Sequence, residues 1–216
     1  MMTPAKPQAV PKAIRVVNAK GGVGKTMCSL QVAGALASAG QKVQLIDLDP
    51  QGGSMTWAGI ARSKGREPTF RVGTSPVAGY DWTVYDHPPG LPQSVNLAGE
   101  VALVPTVMTK GDWAATVRFI QELQAQNARF LVLPNRVENT SDQQDMMAQL
   151  FPEQPFLPKR SGLVRAFNNG VTVYDEKNGV PLGQQIRQEF DVVMAALMAL
   201  LKGEPSRRYS PNGLPL

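Results

Sequence analysis

Cysteine and histidine are almost missing from this 216-residue chain: Cys28 and His87 are the single examples of each. One cysteine excludes an internal disulfide framework and fits a reducing, cytoplasmic setting. Its place just after a glycine-rich stretch reads as a small buried helix residue, not a redox centre. One histidine, with no G-x-S-x-G elbow, excludes the serine and cysteine hydrolases. No apolar run approaches the roughly 18 residues of a membrane span. Residues 1–12 have no apolar signal core, and their prolines and lysines read as a short disordered arm. Basic residues are not interleaved with aromatic ones, so any nucleic-acid binding is expected to be independent of base sequence.

What is present is ordinary for a globular protein, with 43% hydrophobic residues, but the charge is not balanced. A net charge of +5 and a pI near 9.5 point toward a polyanionic partner. Length alone fits one domain with a full core. No internal repeat and no compositional break divides the chain. Residues 13–202 are expected to form that domain, and residues 203–216, with three prolines and two glycines, an extended tail.

Short apolar strands alternate with amphipathic helices, which predicts an α/β fold: a mostly parallel twisted sheet flanked by helices on both faces. Strands are expected over 13–17, 42–47, 83–86, 101–104, 130–133 and 155–157. Helices are expected over 27–39, 54–64, 112–126 and 141–150, with a short one after Ser161 and a long one over 182–201. In the last, Ile186, Phe190, Val193, Met194, Leu197, Leu200 and Leu201 recur at spacings that make one apolar stripe.

The most informative stretch is Asn18-Ala19-Lys20-Gly21-Gly22-Val23-Gly24-Lys25-Thr26, set between a strand and a helix. Glycines let a backbone turn its N–H groups onto phosphate oxygens, Lys25 can reach the β- and γ-phosphates, and the Thr26 hydroxyl can ligate Mg²⁺. The pattern departs from G-x-x-x-x-G-K-[ST] at Ala19 and places a second lysine, Lys20, at the start of the loop. A second element, Asp47-Leu48-Asp49-Pro50-Gln51, puts two carboxylates at i and i+2 on one face of a strand end. A third, Asp86-His87-Pro88-Pro89-Gly90, is a strand ending in an acid followed by a rigid turn.

The KGGVGKT loop resembles the deviant Walker A loop of the ParA/MinD family of dimeric ATPases, and the D-x-D-P-Q and D-x-P-P-G elements match that family too. The likeness covers roughly Ile14 to Leu201 and is tight over these three motifs. It implies a P-loop NTPase fold, ATP and Mg²⁺ as cofactors, and a homodimer that sandwiches two nucleotides. Lys20 would then reach the phosphates held by the partner, as an arginine finger does. The resemblance further implies nucleotide contacts from Gly21, Gly22, Val23, Gly24, Lys25, Thr26 and Met27, with Met27 standing where a second threonine is usual. Asp47 and Asp86 would help hold Mg²⁺, Asp49 would orient the attacking water, and Gln51 would lie near the dimer interface. The Gly90 N–H would face the γ-phosphate. His87 replaces a smaller residue and reads either as a spacer or as a group tuning hydrolysis or dimerisation. Val104-Pro105-Thr106 through Asp112 matches a looser strand–Pro–loop–Asp element. Asn135 stands where relatives present an asparagine to adenine, and it could equally cap its own loop.

Within the family the chain looks like the short plasmid or chromosome partition ATPases. That implies non-specific binding to nucleoid DNA and a ParB-type or other cargo adaptor that triggers hydrolysis. With about a dozen residues ahead of the loop, no operator-binding helix-turn-helix is expected there. Candidate phosphate contacts are Lys159, Arg160, Arg165 and Arg187; Arg62, Lys64 and Arg66 form a second basic cluster. Both clusters could also be plain soluble surface. Alternatives are positioning of a protein cargo, such as chemoreceptor clusters or carboxysomes, and a MinD-like membrane-surface regulator. The membrane reading lacks a basic amphipathic helix at the C-terminus. A nitrogenase-reductase-like iron–sulfur bridge fails for want of cysteines, while a non-hydrolysing DNA clamp would not need Lys20, Asp49 and Asp86 together.

Overall fold

The computed structural model describes residues 12–90, 97, 100–175 and 179–216. Apart from Lys12, the expected N-terminal arm lies outside them. The strands are β1 (Lys12–Val16), β2 (Val43–Asp47), β3 (Arg71–Gly73), β4 (Trp82–Asp86), β5 (Val101–Val107), β6 (Arg129–Val137) and β7 (Leu157–Pro158). They form one sheet in the order β3-β2-β4-β1-β5-β6-β7, every pairing parallel. The helices are α1 (Lys25–Ser38), α2 (Gly53–Ser63), α3 (Lys110–Ala125), α4 (Ser141–Leu150), α5 (Ser161–Asn169) and α6 (Gly183–Leu201).

Alternation along the strands sorts side chains into two cores, as a pleat with period two requires. On β5, Val101 and Leu103 join Ile14, Val16, Leu45 and Val84 beneath α1, α2, α5 and α6. Ala102 and Val104 point the other way and pack with Phe130, Val132 and the α3 residues Trp113, Ile120 and Leu123. The stripe expected on α6 is real: Ile186, Phe190, Val193, Leu197 and Leu200 are its buried apolar residues.

The expected α/β sandwich is therefore observed, with adjustments at the edges. The three-residue β3 was not foreseen, being too short to carry a period. Strand β5 runs three residues past the expected end at Val104, through Pro105. Its pairing with β1 stops at Leu103, so the proline lies beyond the stretch hydrogen-bonded on that side. Strand β6 likewise continues through Pro134 to Val137.

Residues 203–216 hold no helix or strand, but they are not detached. Tyr209 is 1% exposed and packs edge-on against Trp113, and its main chain is gripped by Gln121 and Gln124 of α3. The tail thus closes the α3 side of the molecule.

Candidate nucleotide and metal site

The phosphate-loop motif connects the central strand β1 to α1, at the point where the sheet order runs to β4 on one side and β5 on the other. Ligands of open α/β sheets bind at such a switch point, beyond the carboxyl ends of the strands. Gly22 and Gly24 take φ values of 75° and 96°, a region that disfavours side chains. Gly24 forms the N-cap of α1 and no side chain caps the helix there. The first N–H groups of α1 therefore present an anion site.

Two sets of side chains brace the loop. At its entry, Asn18 is fully buried, donates Nδ2 to the Pro105 carbonyl (2.8 Å) and to Thr116 Oγ1 (3.2 Å), and accepts the Lys20 N–H through Oδ1 (2.9 Å). On its outer flank, Asn135 donates Nδ2 to the Val23 carbonyl at 2.8 Å, and Arg136 donates Nη1 to the Gly22 carbonyl at 2.9 Å. Asn135 accepts the Arg136 N–H with Oδ1. Both polar ends of its amide thus hold the protein's own backbone, as the loop-capping alternative expects.

The two lysines of the motif differ sharply. Lys25 is buried, its ammonium bonded to the carbonyls of Lys20 (2.8 Å) and Asn18 (3.4 Å). Desolvation lowers its pKa, opposed by the charges of Asp86 and Asp49. The Lys20 side chain is 45% exposed, and its ammonium pairs with Asp112 at 2.5 Å. Asp112 also accepts from Thr109, the N-cap of α3. The loosely matched segment after β5 thus supplies the partner of Lys20.

Parallel pairing of β2 with β4 sets Asp47 directly beside Asp86. Asp86 is fully buried and accepts Ser54 Oγ (2.9 Å) and Ser29 Oγ (3.3 Å). Burial pushes its carboxyl up to about 6; hydrogen bonds from Thr26 and Ser54 pull it down, the neighbouring Asp47 charge pushes it further up, and a bond from Ser29 lowers it. Asp47 accepts the Asp49 N–H (3.2 Å) and the Met55 N–H (2.9 Å), the latter in the first turn of α2. Asp49 is half-buried and accepts the Gln51 N–H at 2.9 Å, while Gln51 itself is exposed. The Gly90 N–H reaches the Asn18 carbonyl at 3.3 Å. Met27 is half-buried and its Sδ receives Gln31 Nε2.

This donor set fits Mg²⁺. Thr26, Asp47 and Asp86 offer oxygen only, from a buried carboxylate held against its own desolvation beside a second one. Among the described residues no cluster of three or more His, Cys, Asp or Glu forms a closed cage. Mg²⁺ does not need one, since it takes one or two carboxylates and completes its shell with water and substrate phosphate.

His87 is buried, with Nε2 at 3.2 Å from Arg15 Nη1 and Nδ1 unpartnered among the described residues. Burial, then the charges of Arg15 and Lys25, lowers it to about 4, so the ring is neutral. Arg15 is itself ion-paired to Glu100 and lies 4.0 Å over the Tyr85 ring.

The basic residues proposed for DNA fall between β7 and α5, on α5 and on α6. Lys159 pairs with Glu138 at 3.0 Å, Arg160 pairs with Glu189, and Arg187 covers the Tyr174 ring at 5.1 Å. Arg165 is exposed on α5. In the second cluster, Lys64 and Arg66 donate to carbonyls at the C-terminal end of α5, which makes them helix caps.

Sequence reasoning missed Asn18 as an anchor, Ser29 and Ser54 as partners of Asp86, and Arg136 altogether. Asn18 alone had a local signal, its place at the mouth of the loop.

Comparison with known proteins agrees with this geometry. The family model for the CobQ/CobB/MinD/ParA nucleotide binding domain matches residues 14–173. The chain is 30% identical over 169 residues to the maintenance of carboxysome distribution protein A of Gloeobacter kilaueensis, covering 73% of this chain and 78% of that protein. It is 40% identical over 93 residues to the chromosome partitioning protein ParA of Caulobacter vibrioides, covering 41% of this chain but only 34% of that relative. A plasmid partition protein from Borrelia burgdorferi B31, solved bound to AMPPNP, superposes with a TM-score of 0.68 at 15% identity, over 87% of this chain and all of that one.

Proposed function

Because the chain belongs to the family of the CobQ/CobB/MinD/ParA nucleotide binding domain, we propose that it works as a Mg²⁺-dependent ATP switch closed by a second copy of itself. Lys25 and the N–H groups of Gly21 to Met27 bind the phosphates. Thr26, Asp47 and Asp86 would hold Mg²⁺, which would neutralise charge on the phosphates. Asp49, whose charge acts on Lys25, orients the attacking water, and the Gly90 N–H, held here by the Asn18 carbonyl, turns to the γ-phosphate. Lys20 crosses to the other subunit's nucleotide and stabilises charge developing in the transition state.

The observation that carries this reading is the contrast between the two lysines. One faces inward on loop carbonyls; the other stands at the rim, tethered among the described residues to Asp112. Lys25 already fills the interior of its own loop, so the rim cation, once its pair with Asp112 opens, supports delivery in trans.

The dimer is proposed to bind duplex DNA without sequence preference, using Arg165 and Arg187 with Lys159 and Arg160, and to be released when a ParB-type adaptor stimulates hydrolysis. Arg165 is the best placed of the four, because the charges of Lys159 and Arg160 are already met by carboxylates. The net charge of +5 supports a polyanionic partner. A second reading, positioning of a protein cargo in the cytoplasm, is favoured by the longer match to the carboxysome distribution protein. No helix among the described residues is long and apolar enough to cross a membrane.

ATP turnover and molecular mass, measured with and without duplex DNA, test the scheme. Asp49→Ala is expected to dimerise with ATP yet hydrolyse little, and Lys20→Ala to lose stimulated turnover. Full activity in both variants would overturn it.

A further inference from the structure

We propose that Asn135 and Arg136, at the C-terminal end of β6, are positioning residues that aim the phosphate-binding N–H groups of the loop. The inference rests on the nucleotide reading above but concerns residues outside its motifs. Two successive carbonyls of the loop, Gly22 and Val23, are each held by one of two successive side chains of β6, at 2.9 and 2.8 Å. A trans peptide unit points its C=O and N–H in opposite directions. Pinning the Gly22 carbonyl toward β6 therefore turns the Val23 N–H away from β6. Pinning the Val23 carbonyl does the same for the Gly24 N–H. These two donors then face the concave side of the loop, together with the first N–H groups of α1.

Three further observations show that this contact is built. Asn135 is 4% exposed, and its Oδ1 accepts the Arg136 N–H at 3.0 Å, which fixes the donor end of the amide toward the loop. Arg136 holds φ at 58°, uncommon for a residue with a side chain, and that bend swings its guanidinium back over the loop. A Cβ placed on Gly24 would stand 2.4 Å from Asn135 Nδ2, so the glycine permits the close approach. The brace leaves donors turned inward before any ligand arrives, which reduces the ordering required on binding.

The test compares wild type, Arg136→Ala and Asn135→Asp, using ADP and inorganic pyrophosphate as ligands in the presence of Mg²⁺. Affinities come from calorimetry, fold stability from thermal unfolding, and loop order from the amide resonances of Val23 and Gly24. Arg136→Ala is expected to weaken both ligands by about tenfold, because both depend on the same N–H groups. The Val23 and Gly24 resonances are expected to shift or broaden while the unfolding temperature barely moves. Asn135→Asp should act alike; if that buried variant fails to fold, the exposed Arg136 decides alone. Loss of ADP affinity with pyrophosphate binding intact would overturn the proposal in favour of a contact with the base. A lowered unfolding temperature with unchanged affinities and resonances would reduce the pair to ordinary packing. Failure of the wild type to bind either ligand would instead overturn the nucleotide reading, and this proposal with it.

Discussion

Lys20 and Asp112 form an ion pair at 2.5 Å that joins the phosphate loop to the first turn of α3, across 92 residues of sequence. The pair holds in its own subunit the cation proposed to serve the other. Dimer closure must therefore break it or exchange it. Exposed pairs of this kind contribute about 0.2–1 kcal/mol. Asp112→Asn is expected to lower the ATP concentration needed for half-maximal dimerisation by up to about fivefold, a factor that this energy allows. Light scattering across an ATP titration measures it. Added salt should act in the same direction, since screening weakens the pair. Dimerisation indifferent to both changes would show that the contact is not a restraint.

The metal carboxylate is held at a loss. Asp86 has its pKa raised from 3.8 to about 6, so the folded state resists its ionisation. The sign follows: this group's contribution to stability is highest below pH 4 and declines as pH rises toward 6. At neutral pH without metal, Asp86→Asn is expected to stabilise the protein by about 1–3 kcal/mol. The Asn side chain can still accept from Ser54. Mg²⁺ with nucleotide should raise the unfolding temperature of the wild type more than that of the variant. Urea titrations would check the first statement and thermal melts with and without Mg²⁺ and nucleotide the second, and an Asp86→Asn protein less stable than wild type would refute the first.

The C-terminal strap titrates at the alkaline end. Burial pushes the Tyr209 phenol up to about 12, against the opposing influence of Arg207 and a hydrogen bond with Gln154. The neutral form is the one the fold prefers. Its stabilisation is complete below the ordinary value of 10 and is lost as pH rises from there through 12. Tyr209→Phe removes the bond to Gln154 and should cost about 1 kcal/mol. Tyr209→Ala, which opens a cavity beside Trp113 and Phe151, should cost about 3–5 kcal/mol. Tryptophan fluorescence during denaturation reports on both.

Cys28 is expected to be chemically silent. It is 1% exposed, and burial, then the Asp86 charge, pushes its thiol up to about 12. A thiol reagent at pH 8 should label the folded protein slowly and the denatured protein at once. Rapid labelling of the native state would mean that α1 opens locally.

Much of the architecture was legible in the chain because the signals are local. The α4 boundaries, Ser141 and Leu150, coincide with the expected ones, and the α6 stripe was read from its spacing. A phosphate loop is legible for the same reason: its turn, its glycines and its lysine are consecutive. Where prolines sit in strands, local reading stopped short, at Val104 on β5 and at Leu133 on β6. Whether a missing N–H matters depends on which neighbour is paired there, and that belongs to the sheet.

The residue order by itself determined the kind of chemistry, because a run of nine residues carries both the backbone geometry and the cations that phosphate binding requires. It also separated Asp47 and Asp86 by 39 positions with nothing local to say that they meet. Only the tertiary structure decided that they do, through the β2–β4 register. The fold likewise chose Asp112 as the companion of Lys20, set Ser54 on Asp86, and turned Asn135 and Arg136 onto the loop. The reason is physical: hydrogen bonds and ion pairs act over about 3 Å of space, whereas a sequence records only distance along the chain.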